Sequence, residues 1–435
     1  MNDGIMGKMS PMPVVDPSLA ITIIFSLLFL AWGLRSLHRK RLIDDTPTLK
    51  TMGVFIGLAE LKGTAESENP ITSYITGTKC VQYSWSIEER WSRQVTETVR
   101  DSDGKTRRKT RTESGWRTVD HGGKSPTFYL KDDTGAIKID PRNASLEVDT
   151  ALNVTVGRSD PLYYDKGPRR AVAHSRHRRR FTETLIPLHA PIYVIGQARE
   201  RQDMVAVEIA YDEEEPLYVI STRDEKQVSS GYKNQFLLLG VFGLIISLFV
   251  PMLLVESTTP FLFASGIIYV IASFLGWSLV VYNSLVSLRN SVDQAWSTID
   301  IQLKRRSDLI PNLVEIIEGY QEHEEEVQVQ TTKLRAQTRE QEKPAGVSML
   351  LRSIVEAYPE LEAGNQFLLL QQTLEETEQR IALARDYYNQ QARFYNTRLE
   401  IIPDMYVARL GGLKPRQLWA AENFQRVPER IDLAS

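Results

Sequence analysis

Residues 282–320 read YNSLVSLRNSVDQAWSTIDIQLKRRSDLIPNLVEIIEGY. Leu285, Leu288, Val292, Ala295, Ile299 and Leu303 recur at steps of three and four, which places them in one apolar stripe on a helix. Leu313, Ile316, Ile317 and Tyr320 carry that stripe past Pro311. Pro311 lacks the N–H that would donate to the Ser307 carbonyl, and its ring presses on that carbonyl. A kink is therefore expected between Lys304 and Asn312, with a helix break near Ser307 as the alternative.

A partner for this stripe lies further along the chain. Phe367, Leu370, Leu374, Ile381, Ala384, Tyr388, Tyr395, Leu399 and Ile402 follow a spacing near 3.5, with Thr377 and Gln391 at intervening core-type positions. That is a coiled-coil or bundle seam. Residues 347–358 read as a short amphipathic helix closed by Pro359, and 414–427 as another short helix after Gly411-Gly412. Two long and two short helices predict an antiparallel all-α bundle. Lys304, Arg305, Arg306 and Asp308, with Trp419, form its candidate interaction surface. A solvated polar face for the charges and a core anchor for Trp419 are the plainer readings.

The stretch before residue 282 explains what the bundle hangs from. Apolar runs occupy 19–34, 236–255 and 261–281. The last two are free of charge and long enough for a bilayer core, which takes about 20 residues at about 1.5 Å rise. The first is followed by Arg35, Arg39, Lys40 and Arg41, with no cleavage site of small residues. A signal peptide has the opposite order, so a retained membrane helix over 19–37 is expected. The basic flank after the first run, and the lack of Lys or Arg in the 256–260 hairpin, predict an external N-terminus. The expected layout is a 1–18 tail, membrane helices at 19–37, 236–255 and 261–281, and soluble segments 42–232 and 282–435 at the cytoplasmic face of the inner cell membrane.

Segment 42–232 is β-rich. CVQYSWSIEER (80–90), TFYLKDDTGAIKID (127–140) and APIYVIGQAR (190–199) alternate as strands do, and Asp132-Asp133-Thr134-Gly135 supplies a hairpin turn with Gly135 free to take positive φ. Pro216 separates two later strands. Two basic stretches, 104–111 and 166–180, read as solvated loops. Their functional reading is contact with anionic lipid through Arg107, Arg108, Lys109, Arg176, Arg178, Arg179 and Arg180. Nucleic acid is not expected as a partner, because aromatic and base-reading residues are missing among the charges. His174 and His177 form only a weak metal pattern. Gly122-Gly123-Lys124-Ser125 lacks the upstream glycine of a phosphate loop, where Thr118 stands, and runs into Pro126.

Two resemblances follow from these residues. NPITSYITGTKCVQYSWSIEER, GWRTVDHGGKSPTFYLKDDTGAIKIDP and TETLIPLHAPIYVIGQA resemble the GIDE, or beside-a-membrane, domain over residues 50–232, through Cys80-Val81-x-Tyr83, Gly115-Trp116 and Asp132-Asp133-x-Gly135. Relatives that transfer ubiquitin carry a zinc-binding RING, whereas this chain of 435 residues holds one cysteine, Cys80, so the resemblance implies a shared β-scaffold and no ligase centre. Residues 282–433 resemble the LemA family, through the Leu309-Ile310-Pro311-Asn312-Leu313-Val314 run and the two later helical segments. That resemblance implies a membrane-anchored helical bundle, no established activity, and company with membrane proteases.

The fold class expected is thus a multi-domain membrane protein: three transmembrane helices, a β-rich GIDE-like domain and a LemA-like helical bundle. With a net charge of −3 and no clustered acid–base or nucleophile constellation, no catalytic residue, metal or cofactor is assigned. The functional expectation is a non-enzymatic scaffold or adaptor that contacts membrane lipids and binds a membrane protein, such as a protease, or a second copy of itself. The alternatives are a ubiquitin-ligase-like protein and a transporter or channel subunit, the latter needing Ser247, Ser265, Gly266, Ser273 and Gly276 as close-packing positions.

Overall fold

The computed structural model describes residues 17–100, 106–201, 207–213, 217–254, 261–319 and 365–419. They fall into two compact units, Thr46–Val228 and the pair Met1–Asp45 with Ser229–Ser435.

The second of these is helical. It holds α1 (Pro17–Asp44), α2 (Glu225–Leu254, whose first turn belongs to the other unit), α3 (Phe261–Gly319), α4 (Asn365–Glu400) and α5 (Asp404–Leu410). Three of these are long and apolar enough to cross a membrane, over Ala20–Asp44, Glu225–Val250 and Ser265–Asn312. Their outward faces expose Phe25, Trp32, Phe249, Phe274 and Leu279, as suits side chains whose solvent is hydrocarbon. Small residues set the inner contacts. The Ser265 hydroxyl donates to the Ser247 carbonyl at 2.7 Å, Gly266 lies against Leu248, and Gly276 against Leu34. Ser273 bonds within its own helix, to the Tyr269 carbonyl. Ser247, Ser265, Gly266 and Gly276 thus serve close packing between helices of one chain.

Helix α3 runs unbroken from the membrane span through Pro311, so the break near Ser307 is not found. Ile299 and Leu285 are fully buried, with Leu288, Val292 and Ala295 beside them. On α4, Leu374, Ile381, Ala384, Tyr388 and Tyr395 are buried, and so are the polar Thr377 and Gln391 at the intervening positions. The helices are antiparallel: Trp296 stacks edge-on with Tyr388, and Arg306 pairs with Glu378 further along α3 and further back along α4. The stripe departs from expectation past Ile299. It continues through Gln302, Arg306 and Ile310 rather than Leu303. Ile402 also departs: α4 stops at Glu400, and Ile402 is exposed. The side chains of Leu313, Ile316, Ile317 and Phe367, and all of Tyr320, 347–358 and 420–427, lie outside the described residues. Residues 413–419 hold no helix, which corrects the first part of the expected 414–427 helix; Asn396 and Asn389 bond its backbone at Arg416 and Trp419 instead.

The β unit contains thirteen strands among the described residues: β1 (Thr48–Leu49), β2 (Gly57–Glu66), β3 (Ile71–Thr72), β4 (Lys79–Arg100), β5 (Thr106–Lys124), β6 (Phe128–Lys131), β7 (Ala136–Ile139), β8 (Ser145–Glu147), β9 (Thr150–Gly157), β10 (Ser175–Pro187), β11 (Pro191–Glu200), β12 (Val207–Ala210) and β13 (Val219–Ser221). Pairing of β2 with β11 closes β2, β6, β7, β12 and β11 into a ring, around Leu61, Leu130, Ile139, Ile195 and Ile209. The second sheet runs β3-β4-β10-β9, with β5 also paired to β4. Its long β4–β5 hairpin uses glycines as seats for indoles. Gly115 pairs with Trp91 and Gly122 with Trp85, and a Cβ on either glycine would come within about 3.2 Å of the ring.

The 132–135 turn forms as expected between β6 and β7, but by another device. Gly135 does not take positive φ. The Asp132 carboxylate accepts the backbone N–H of Thr134, Gly135 and Thr51 and the Thr51 hydroxyl, which fixes the turn as a side-chain-capped loop. Burial alone would raise this carboxyl, yet those bonds hold it at about 2. Pro216 lies outside the described residues.

Candidate functional site

The charged groups singled out by sequence divide sharply by side-chain parity. In β10, Arg179 shares its face with Phe181, Glu183 and Leu185, all buried. Its guanidinium is 1% exposed and faces the fully buried Glu89 carboxylate, at 3.2 Å from Nε and 3.1 Å from Nη2. Nη1 donates to the Tyr163 carbonyl at 2.7 Å, and the group lies 4.0 Å from the Tyr163 ring centroid. Tyr163 Oη and Ser175 Oγ donate to the other Glu89 oxygen. Burial would raise the Glu89 carboxyl, but Ser175, Arg179 and Tyr163 together hold it below its usual value. Arg180, half-buried, donates to Glu88 at 2.7 Å and covers the Trp116 ring. Arg179 is therefore enclosed in the sheet and is no lipid ligand, while Arg180 is paired with Glu88 and only partly exposed. Arg108, Lys109, Arg176 and Arg178 are exposed, while the Arg107 side chain lies outside the described residues. Residues 106–111 and 175–180 are strand, not the loops expected.

The candidate bundle surface divides in the same way. Lys304, Arg305 and Asp308 are exposed. Arg306 sits on the buried stripe, 2.8 Å from Glu378, and leaves the proposed surface for that reason. Burial raises the Glu378 carboxyl against the pull of Arg306 and Arg385. Trp419 is half-buried between Trp296, at 5.1 Å between ring centroids, and Arg385, 4.9 Å from its ring. Its N–H donates to Asn389 Oδ1 at 2.7 Å, so it serves as an anchor for residues 413–419.

An ionic cluster that the sequence did not reveal lies where α1 ends. Arg41 donates to both oxygens of Asp404, at 3.2 and 2.7 Å. Arg398 donates to Asp45 at 2.7 Å, and Ser284 Oγ donates to the same carboxyl at 3.0 Å. Asp44 accepts from Lys40 and, at 2.5 Å, from Ser229. Burial raises the Asp45 carboxyl, partly offset by Arg398 and Arg41. The cluster ties the last turn of α1 to α3, α4 and α5. Its charges are matched in sign and paired, with Arg41 Nε the one buried atom among these pairs left without a hydrogen bond, which fits a structural joint better than a reaction centre.

A second titratable cluster belongs to the β unit. The buried Glu60 accepts from Thr48 Oγ1 at 2.5 Å and Tyr193 Oη at 3.0 Å. Lys62 lies 3.5 Å away and donates to Glu225 at 2.7 Å. Burial, reinforced by the Glu225 charge, pushes the Glu60 carboxyl up to about 7 against the pull of Thr48, Lys62 and Tyr193.

Among the described residues, no group of three or more His, Cys, Asp or Glu side chains is placed to hold a metal. His174 and His177 both take left-handed backbone, φ 57 and 55, around the bulge that turns Ser175 onto Glu89. Cys80 is buried against Tyr83 and Leu185, and burial, with the Glu183 charge, pushes its thiol up to about 11. Such a thiol is a poor nucleophile at neutral pH.

These features define a membrane-anchored protein that joins a β unit to an antiparallel helical bundle. Residues 295–432 match the LemA family model, and residues 96–254 match the GIDE family model, described as E3 ubiquitin ligase. The chain thus carries a LemA region and a GIDE region, the two resemblances read in its sequence. No curated protein matches the chain.

Proposed function

We propose that the protein is a non-enzymatic membrane scaffold that holds its β unit and its helical bundle at the cytoplasmic face of the inner membrane for partner binding or self-assembly. The observation that carries this reading is how its buried charges are used. Glu89 with Arg179, Arg41 with Asp404, Arg398 with Asp45 and Arg306 with Glu378 each neutralise one another inside the fold. A reaction centre instead keeps an ionisable group poised toward a cleft. The exposed Lys304, Arg305 and Asp308 remain as a polar face for a partner, a membrane protease being one candidate. The exposed Arg35 and Arg39 after the first span support an inward orientation. Crosslinking with mass spectrometry in native membranes tests the partner, expected to join residues near 304–308. External labelling of a cysteine introduced at Arg305 in intact cells would reverse the orientation.

The description of the matched GIDE model suggests ubiquitin transfer as a second reading. Paired zinc ligands need several cysteines, and this chain has one, so we propose that it transfers none. Incubation with activating and conjugating enzymes is expected to yield no ubiquitin chains; chain formation above a no-protein blank would install the enzymatic reading.

A further inference from the structure

Helix α5 is amphipathic in an unusual place. Asp404 and Ala408 face inward, while Tyr406, Arg409 and Leu410 face out, and Ile402, just before the helix, is exposed as well. Leu410 is 90% exposed, Ile402 66% and Tyr406 55%. A soluble bundle rarely leaves so much apolar surface on one short helix. The inward side shows where the helix stands. Ala408 is buried with Val281 and Leu285, and Trp277, Val407 and Leu413 pack around them. Gly411 lies so close to Tyr282 that a Cβ would come within 2.7 Å of its ring. These α3 residues are the end of the 261–281 apolar run, where Trp277 and Tyr282 occupy the positions of an interfacial aromatic belt. Phe274, Leu275, Leu279 and Tyr282 of that span are exposed, and Gly411, next after Leu410, lies against the Tyr282 ring. The exposed face of α5 thus continues the lipid-facing surface of the third span.

We propose that α5 lies in the membrane–water interface, with Tyr406 and Leu410 set among the lipid headgroups and upper acyl chains and Arg409 directed to the headgroup phosphates. The occupant of this face is lipid, because the face adjoins a surface that already requires lipid and carries a cation beside its apolar residues, the composition of an interfacial helix. The inference rests only on the third span crossing the bilayer and is independent of the scaffold reading.

The test uses the full chain in nanodiscs holding one copy each. Single cysteines replace Tyr406 or Leu410, and Arg305 as a control, and each carries a polarity-sensitive fluorophore. The buried native Cys80 stays in place, and the unsubstituted chain gives its labelling blank. Nitroxide lipids, spin-labelled high on the acyl chain, serve as quenchers. At positions 406 and 410, blue-shifted emission and quenching at least threefold stronger than at 305 are expected. Quenching equal to that at 305 would overturn the proposal. So would a blue shift insensitive to the nitroxide, which would mean that protein, not lipid, covers the face. An Arg409→Glu change is expected to reduce quenching at 410 in anionic nanodiscs while leaving 305 unchanged; no change would remove Arg409 from the headgroup contact.

Discussion

Replacing Arg179 by Met separates a structural arginine from a lipid-binding one. The substitution keeps a long apolar side chain but removes the guanidinium that contacts Glu89 twice, at 3.1 and 3.2 Å, and the Tyr163 carbonyl at 2.7 Å. Glu89, fully buried, would then keep only the neutral donors Ser175 and Tyr163. Breaking a buried pair from one side costs about 3–5 kcal/mol, since a charge is left without its counterion. Divided by about 1.4 kcal/mol per decade, that is a loss of at least a hundredfold in the equilibrium against local opening. Amide hydrogen exchange on the full chain in nanodiscs reads this directly, in peptides covering 181–186 and their β4 partners 82–87. The variant is expected to lose about two decades of protection there, while the α3–α4 seam stays unchanged. Adding Glu89→Gln should restore at least half the loss, because the orphaned charge is then gone; the cycle isolates the pairing energy from the packing change. Protection within threefold of the parent chain would refute the argument and return Arg179 to the pool of free surface cations.

Three further changes follow from the same geometry. Glu60, with a folded pKa near 7 against 4.5 unfolded, binds its proton more tightly when folded, so its own contribution to β-unit stability should be fully present below pH 4.5 and fall by about 3 kcal/mol as pH rises to about 7. The thermal midpoint read by tryptophan fluorescence tracks this, and Glu60→Gln should flatten the slope; an equal slope in both chains would reject it. Asp132 has the opposite sign: its folded pKa near 2 lies below 3.8, so its contribution is present above pH 4 and lost toward pH 2. After discounting for solvent screening, Asp132→Asn should cost about 1 kcal/mol at pH 7 and nothing near pH 2, measured by the same midpoint. Arg398→Met takes the guanidinium from Asp45, which keeps the Ser284 hydroxyl, and should cost about 2–4 kcal/mol, seen as faster proteolysis or exchange at α5.

Much of this architecture was legible because its signals are local. Three apolar runs of membrane length became three helices, and the 3.5-residue seam named Leu374, Thr377, Ile381, Ala384, Tyr388, Gln391 and Tyr395, each of them buried. Thr377 and Gln391 were legible even though polar, because helix geometry places a residue inside regardless of its chemistry. The same rule, carried one step further, would have found Arg306. From Ile299 the steps 3, 4 and 4 lead to Gln302, Arg306 and Ile310, all buried. Parity would likewise have found Arg179, two residues before Phe181 in a strand where every second side chain points in. Composition hid both, since a run of arginines reads as uniformly solvated. What no local rule supplies is a partner far along the chain. Glu89 stands 90 positions from Arg179, and Arg41 stands 363 from Asp404.

That last separation bears on how the helical unit is built. The β unit is an insertion: Asp45 ends one part of the helical unit, Ser229 begins the next, and a 2.5 Å hydrogen bond from Ser229 to Asp44 brings the two ends of the insertion together. Chain entry and exit at neighbouring points is the arrangement an inserted domain needs to fold without straining its host. The insertion puts a cost on α1, however. Its last turn carries Arg41 and Asp44, with Asp45 next in the chain, and the partners Ser284, Arg398 and Asp404 lie more than 230 residues away. Asp44 has Lys40 on its own helix, but until α3, α4 and α5 are in place Arg41 and Asp45 lack the partners Asp404 and Arg398, and burying them alone is unfavourable. The junction is therefore a specificity device more than a source of stability. It admits the native docking of α1 on the bundle and penalises any packing that brings α1 to the bundle out of register, because only one register brings three acids and two arginines into matched contact.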